Sequence, residues 1–129
     1  AQRLICPQKV FLFDDREEQI YFYQEVVRAN RLEFEHGSDL EQTLERLRSG
    51  EVDLVLVDAL ENEEPKYELV RRMKQDEPLA KIPVVALSIY EDEEQPLRRL
   101  GVERFILKPF LVEKFVATLK QLLGRRAEG

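Results

Sequence analysis

The segment Val52–Asp58, VDLVLVD, has the pattern of a β-strand that is buried on both faces. Its four apolar residues between two aspartates are too few for a buried helix, and the valines favour extended backbone. A strand of this kind lies in the middle of a parallel sheet, with Asp58 at its carboxyl end. That end of a central strand is where open α/β sheets bind their ligands. An isolated aspartate there is more often only the polar residue that ends a strand, so its role depends on what the other strands bring to the same edge.

Four further segments have the composition of strands, and amphipathic helical patterns alternate with them. The predicted strands are Lys9–Asp14, Arg31–His36, Ile82–Leu87 and Arg104–Lys108. The predicted helices cover residues 16–30, 38–50, 91–100 and 111–123, and a further helix begins at Pro65. Ser38 is expected to cap the second helix, with Glu41 completing a capping box. Pro96 indicates that the fourth helix begins near Gln95 and is short.

Five strand–helix units in tandem predict a single α/β domain, a doubly wound five-stranded parallel sheet with helices on both faces. The apolar strands that begin at Lys9, Val52 and Ile82 are expected in the middle of the sheet. The alternating segment RLEFEH at residues 31–36 fits an edge strand. We expect the domain to cover residues 9–124, with residues 1–8 and 125–129 as tails.

Composition limits the classes of function. The 129 residues are 43% hydrophobic and 36% charged, as in one soluble globular domain. No apolar run approaches the roughly 18 residues that indicate a membrane span. The net charge of −6 argues against direct nucleic-acid binding, which needs a basic surface. Cys6 is the only cysteine and no signal-peptide pattern precedes it, so we expect a cytoplasmic protein.

Polar side chains follow four of the predicted strands at the edge where those strands end. They are Asp14, Asp15, Asp58, Ser88 and Lys108. Three nearby carboxylates repel one another, and Mg²⁺ would relieve that repulsion because it prefers oxygen ligands and often shares them with phosphate. Lys108 and Ser88 would then hold phosphate oxygens, and Asp58 would attack phosphorus. The alternative is an acidic patch that one lysine neutralises.

These residues resemble the conserved set of the receiver domains of two-component response regulators. The matching motifs are Asp14-Asp15 after the first strand, Asp58 after the third, Ser88 after the fourth, and Lys108-Pro109-Phe110 after the fifth. The resemblance covers Lys9 to about Gly124. It implies the flavodoxin-like fold of chemotaxis regulators, strand order 2-1-3-4-5 and a cis Lys108-Pro109 peptide bond.

The resemblance also implies a role for each matching residue. Asp58 would accept a phosphoryl group from a sensor histidine kinase or a phosphotransfer domain, assisted by Lys108 and Ser88, so that the chain is a phosphoprotein of a phosphorelay. Asp15, Asp58 and the carbonyl of Leu60 would hold Mg²⁺ directly, and Asp14 would act through water. Because a bound cation relieves the repulsion among the carboxylates, we also expect Mg²⁺ to raise thermal stability. Phe105 would act with Ser88 as the switch. No separate enzyme activity is expected, apart from slow loss of the chain's own phosphate.

Several positions depart from the family's pattern. Leu60, Ile89 and Tyr90 are bulky where smaller or more polar residues are usual, and we predict that they restrict access to Asp58, so that phosphorylation is slow and the phosphate long-lived. A pseudo-receiver, an interaction domain that works without phosphate, is the alternative. A free-standing phosphatase is disfavoured because the chain has no room for a cap domain. Phosphorylation-dependent homodimers are a further hypothesis.

Overall fold

The computed structural model describes residues 7–59 and 64–128. The five strands are β1 (Lys9–Phe13), β2 (Glu33–Gly37), β3 (Leu54–Asp58), β4 (Val84–Ser88) and β5 (Arg104–Leu107). The helices are α1 (Glu17–Ala29), α2 (Leu40–Leu47), α3 (Glu64–Gln75), α4 (Glu77–Ala80), α5 (Glu94–Leu100) and α6 (Val112–Glu128). Strands and helices alternate as predicted, with one short extra helix, α4.

The strands form one parallel sheet in the order β2-β1-β3-β4-β5, which confirms the predicted fold class. Two of the strands that were expected in the middle of the sheet, β3 and β4, are buried at every position. The alternating segment forms β2 at one edge, where Phe34 is buried and Glu33 is exposed. Apolar continuity along a strand therefore predicted its distance from the sheet edge.

Helices cover both faces of the sheet, and each face has its own core. On one face, β-strand residues pack with residues of α2, α3 and α5, among them Leu44, Leu69, Met73 and Leu97. On the other face, α1 and α6 pack through Tyr23, Val27, Phe115 and Leu119. Tyr23 and Phe115 lie with ring centroids 5.5 Å apart. Alternate side chains of each strand point to opposite faces, so both cores are filled by the same strands.

The boundaries of α2 and α6 differ from those predicted. The α2 helix is capped by Asp39, whose carboxylate accepts a hydrogen bond from the backbone N–H of Gln42 at 2.8 Å, and not by Ser38. Both residue types cap helices well, and the chain enters the helix one residue later than the capping box suggested. The α6 helix continues to Glu128, beyond the predicted end of the domain at Gly124.

The helix that contains Pro96 is short, as its sequence indicated. A 3₁₀ turn covers Glu91–Glu93, and α5 begins at Glu94. Pro96 is therefore in the first turn, where a missing N–H costs no helical hydrogen bond. Gly101 ends the helix with a φ of 114°, in the left-handed region that favours glycine. Within the described part of the chain, no helix is long and apolar enough to span a membrane.

Candidate functional site

Asp58 and Lys108 form an ion pair at the carboxyl edge of the sheet. Asp58 is the last residue of β3, and its side chain is fully buried. Lys108 follows β5, where its backbone N–H donates to the carbonyl of Ser88 at 2.8 Å. The Nζ of Lys108 lies 2.8 Å from Oδ1 and 2.9 Å from Oδ2 of Asp58. The peptide bond between Lys108 and Pro109 is cis, as the family resemblance implied.

Asp14 is buried beside this pair, and Arg16 joins the two carboxylates. The Arg16 side chain donates to both oxygens of Asp14, from Nε at 3.0 Å and from Nη2 at 2.7 Å. The same Nη2 also donates to Oδ1 of Asp58 at 2.9 Å. Burial raises the pKa of Asp14, but the Arg16 hydrogen bonds and the charge of Lys66 outweigh it, and the net pKa lies below its usual value. The Asp14 carboxylate is therefore held as an anion, and the carboxylates of Asp14 and Asp58 both accept hydrogen bonds from one guanidinium.

Tyr23 forms a hydrogen bond with the second carboxylate oxygen of Asp58. Its hydroxyl donates to Oδ2 at 2.8 Å, from a ring that is fully buried between α1 and the sheet. Burial and the charge of Asp58 both raise the pKa of Tyr23, which keeps its proton available for this hydrogen bond. A carboxylate has about four lone-pair positions. Arg16, Tyr23 and the two contacts from Lys108 supply four donors, so the acceptor capacity of Asp58 is filled.

Lys66 brings a third cation to the site from α3. It is buried at 4% exposure, on the same helical face as Leu69, Val70 and Met73. Its Nζ donates to the backbone carbonyl of Asp58 and lies 3.9 Å from Oδ1 of Asp14. Arg16, Lys66 and Lys108 thus face the two buried carboxylates.

Ser88 lies at the end of β4, and its hydroxyl is committed to a local network. It donates to Oε1 of Glu93 at 2.8 Å and accepts from the backbone N–H of Tyr90 at 2.9 Å. The Tyr67 hydroxyl donates to the other oxygen of Glu93. The pKa of Tyr67 is raised above its usual value, mainly by burial and in addition by this hydrogen bond. Glu93 is itself buried, so a carboxylate stands beside the serine that was predicted to hold phosphate.

The predicted magnesium ligands are not brought together as a set. Asp15 is exposed, and it contributes its backbone N–H to Oδ1 of Asp14 at 2.7 Å. Leu60 lies outside the described residues. Among those that are described, no three His, Cys, Asp or Glu residues are grouped so that they could hold a metal ion. The oxygens of Asp14 and Asp58 instead face the guanidinium of Arg16, so the residues as arranged do not fit Mg²⁺.

Of the three residues predicted to restrict access to Asp58, Ile89 and Tyr90 are described, and Leu60 lies outside the described residues. Ile89 is 53% exposed, and Tyr90 is half-buried. The contacts on the Asp58 carboxylate come from Arg16, Tyr23 and Lys108. Phe105 is half-buried and packs against the core on the α2, α3 and α5 face.

Sequence reasoning missed Arg16, Tyr23, Lys66 and Glu93, although three of them carried a signal. Tyr23 shares helical spacing with Ile20 and Val27, which indicates a buried position on α1, and a buried tyrosine hydroxyl needs a partner. Lys66 shares the spacing of an apolar stripe with Leu69, Val70 and Met73, a position where lysine is rarely found unless it is paired. Arg16 directly follows the Asp14-Asp15 pair.

The chain belongs to the response regulator receiver domain family. The family's model, described as a response regulator receiver domain, matches residues 10–120. The doubly wound sheet and the Asp58–Lys108 pair at its carboxyl edge agree with that membership. It follows that the chain is a two-component signalling domain.

Individual relatives agree with this family. The polar-differentiation response regulator DivK of Brucella anthropi is 28% identical over 120 residues, which make up 92% of this chain and 98% of the relative. The signal receiver domain of a histidine kinase from Syntrophus aciditrophicus has a TM-score of 0.78 at 25% identity, covering 91% of this chain and 90% of that one.

A further similar structure contains a metal. The receiver domain of a sensor histidine kinase from Pseudomonas aeruginosa PAO1, with a magnesium ion coordinated in its active site cleft, has a TM-score of 0.80 at 17% identity. The match covers 92% of this chain and 99% of that domain. At that identity the likeness shows the shared fold alone.

Proposed function

We propose that this domain accepts a phosphoryl group on Asp58 from a histidine kinase or phosphotransfer domain and signals through its surface. The observation that carries the proposal is the Asp58–Lys108 pair, in which the lysine amine lies 2.8 Å and 2.9 Å from the carboxylate oxygens. A carboxylate is a competent acceptor, and an ammonium group beside it neutralises charge on the incoming phosphoryl oxygens. Family membership supports the same function.

The transfer is a simple exchange of bonds at phosphorus. One oxygen of Asp58 donates a lone pair to phosphorus while the P–N bond of a phosphohistidine breaks. The bonding electrons return to the imidazole, which takes a proton from solvent. The product on Asp58 is an acyl phosphate, and its later hydrolysis would return the carboxylate. We propose no catalysis on a separate substrate.

The hydrogen bonds that Asp58 already accepts should slow this reaction. All four lone-pair positions already have donors, so one donor must move before Asp58 can attack. Slow phosphorylation therefore stays our prediction, with Tyr23 and Arg16 as the groups that restrict Asp58.

A phosphorylation-independent interaction domain is the second candidate function. It is favoured by the same saturation of Asp58, together with the Ser88 hydroxyl that is already bonded to Glu93. In that case the buried polar network would serve only to hold the sheet edge together.

Intact-protein mass spectrometry after incubation with acetyl phosphate separates the two candidates. We expect wild type to gain the mass of one phosphoryl group, slowly, and Asp58→Asn to gain none. Wild type that stays unlabelled over a long incubation, with acetyl phosphate and with a phosphorylated phosphotransfer protein, would support the phosphorylation-independent domain instead.

A further inference from the structure

We infer that Arg16 is a built-in cation that takes the place of a divalent metal between Asp14 and Asp58. This inference concerns the cation of the site, and its consequence for phosphorylation rests on the proposed function. It replaces the expectation from sequence that Mg²⁺ binds these carboxylates and stabilises the fold.

The geometry of one nitrogen atom carries the inference. Nη2 of Arg16 lies 2.7 Å from Oδ2 of Asp14 and 2.9 Å from Oδ1 of Asp58, so one positively charged group bridges the two anions. The same atom lies 3.4 Å from the backbone carbonyl oxygen of Asp58. A divalent ion shared by these carboxylates would need the same oxygens.

The guanidinium is held in this position by further hydrogen bonds. Nε of Arg16 donates to Oδ1 of Asp14 at 3.0 Å, which makes the contact with that carboxylate bidentate. The backbone N–H of Arg16 also donates to Oδ1 of Asp14 at 3.0 Å. A lysine or a hydrated ion could not reproduce this planar pair of hydrogen bonds. Because Arg16 is only two residues from Asp14 and its backbone N–H is also bonded to that carboxylate, its side chain cannot withdraw far.

The charge balance of the site disfavours an added divalent ion. Arg16, Lys66 and Lys108 already face the carboxylates of Asp14 and Asp58. A divalent cation entering this group would meet three positive charges in a largely buried environment, where screening is weak. The same excess of positive charge would attract a phosphoryl group. The site is thus suited to bind a phosphoryl anion without metal.

The first test measures Mg²⁺ binding and does not depend on phosphorylation. Melting temperature is recorded in EDTA and in millimolar Mg²⁺ for wild type, Arg16→Gln, Arg16→Lys and a control, Arg28→Gln. Arg28 is exposed in the last turn of α1, so its substitution removes the same charge away from the site. We expect Mg²⁺ to raise the melting temperature of Arg16→Gln by about 3 °C or more, because Asp14 and Asp58 have lost the cation that bridges them. Wild type and Arg28→Gln should not respond, and Arg16→Lys, which keeps the charge without the bidentate contact, should respond less than Arg16→Gln.

Two outcomes would overturn the inference. One is a rise in wild-type melting temperature with Mg²⁺ that matches the rise in Arg16→Gln. The other is an Arg16→Gln variant that folds and ignores Mg²⁺. If Arg16→Gln does not fold in either buffer, calorimetric titration of wild type with Mg²⁺ decides alone: binding heat contradicts the inference, and its absence supports it.

The second test asks whether labelling needs a metal. Wild type is incubated with acetyl phosphate in EDTA and in Mg²⁺, with Asp58→Asn as the blank. We expect the labelling rate to differ by less than about twofold between the two buffers. Labelling that occurs only with Mg²⁺ overturns the inference while leaving the proposed function intact. No labelling in either buffer overturns the proposed function, and the Mg²⁺-binding test still decides the role of Arg16.

Discussion

At the scale of single residues, the site differs most from the sequence-based expectation in what surrounds Asp58. The convergence of Asp14, Asp58, Ser88 and Lys108 on one edge followed from topology, because parallel strands end at the same side of a sheet. The contacts of Arg16 and Lys66 with these carboxylates did not follow from the topology. A long, flexible side chain can reach several partners from one backbone position. Neither the hydrophobic periodicity of the sequence nor the spacing of its residues predicts which partner the side chain contacts.

Tyr23 provides the residue-scale prediction. Tyr23→Phe removes one donor from Oδ2 of Asp58 while leaving the ring in the core. The hydrogen bond to a charged group is worth about 1.5–3 kcal/mol, and 1.4 kcal/mol corresponds to a factor of ten in rate. We expect acetyl phosphate to label Tyr23→Phe about tenfold faster than wild type, as measured by intact mass against time.

A matched control is available on the same helix. Tyr21 is 65% exposed, so Tyr21→Phe makes the same chemical change away from Asp58. It should label at the wild-type rate. Equal rates for Tyr23→Phe and wild type would show that Tyr23 does not limit the reaction at Asp58.

At the scale of elements, the strands were more predictable than the ends of helices. Continuous valine and leucine runs identify β3 and β4, because only strands buried on both faces tolerate them. The cap of α2 was displaced by one residue, since Ser38 and Asp39 are both good caps and only the path of the entering chain selects between them. The α4 helix has four residues, which is too short for any helical period to show.

Glu35 joins three elements and gives an element-scale prediction about pH. Its carboxylate on β2 accepts from Lys9 on β1 at 2.8 Å and from Arg46 on α2 at 2.7 Å. The Arg46 hydrogen bonds, opposed in part by burial, lower the pKa of Glu35 to about 2. A lowered pKa stabilises the folded state above the unfolded value of about 4.5, and this contribution is lost as pH falls towards 2.

The measurement compares urea unfolding of wild type and Glu35→Gln across pH. Because the carboxylate is partly exposed and therefore screened, we expect wild type to be more stable by about 1 kcal/mol at pH 7. The difference should shrink below pH 4.5 and vanish near pH 2. Glu33→Gln is the control, since Glu33 is more than half exposed and lies 3.8 Å from Lys9. If Glu35→Gln lowers the free energy of unfolding by the same amount at every pH, the charge of Glu35 does not contribute to stability.

At the scale of the whole molecule, the outer surface around β5 is the candidate signalling face. Its exposed apolar residues are Leu107 at 41%, Leu111 at 61% and Val112 at 41%. Phe105 lies beside them, half-buried. β5 ends at the exposed Leu107, and the next residue is Lys108, the partner of Asp58. A change in the Asp58–Lys108 pair can therefore reach the surface over a very short path.

Three arginines lie at the rim of this face, where a second copy could meet them with acidic residues. Arg98 donates to Glu94 at 2.8 Å in an ion pair, whereas Arg99 donates to Gln95 at 3.3 Å and Arg104 donates to Gln121 at 3.1 Å. The α5 helix carries acid in its first turn and base in its last, so two copies related by a two-fold axis would place opposite charges together. The apolar residues would then be covered by the same contact.

We predict that phosphorylation of Asp58 promotes self-association through this face. Light scattering of protein labelled with acetyl phosphate should show a larger mass than unlabelled protein, and Asp58→Asn should show no change. Arg99→Glu should weaken the association, because it puts like charges opposite each other in a two-fold arrangement, by about 1 kcal/mol or about fivefold in the dissociation constant. Arg28→Glu, which makes the same charge change on α1, should leave it unaltered. Protein that carries the phosphoryl mass and remains a monomer would exclude homodimerisation and leave this face to a different partner.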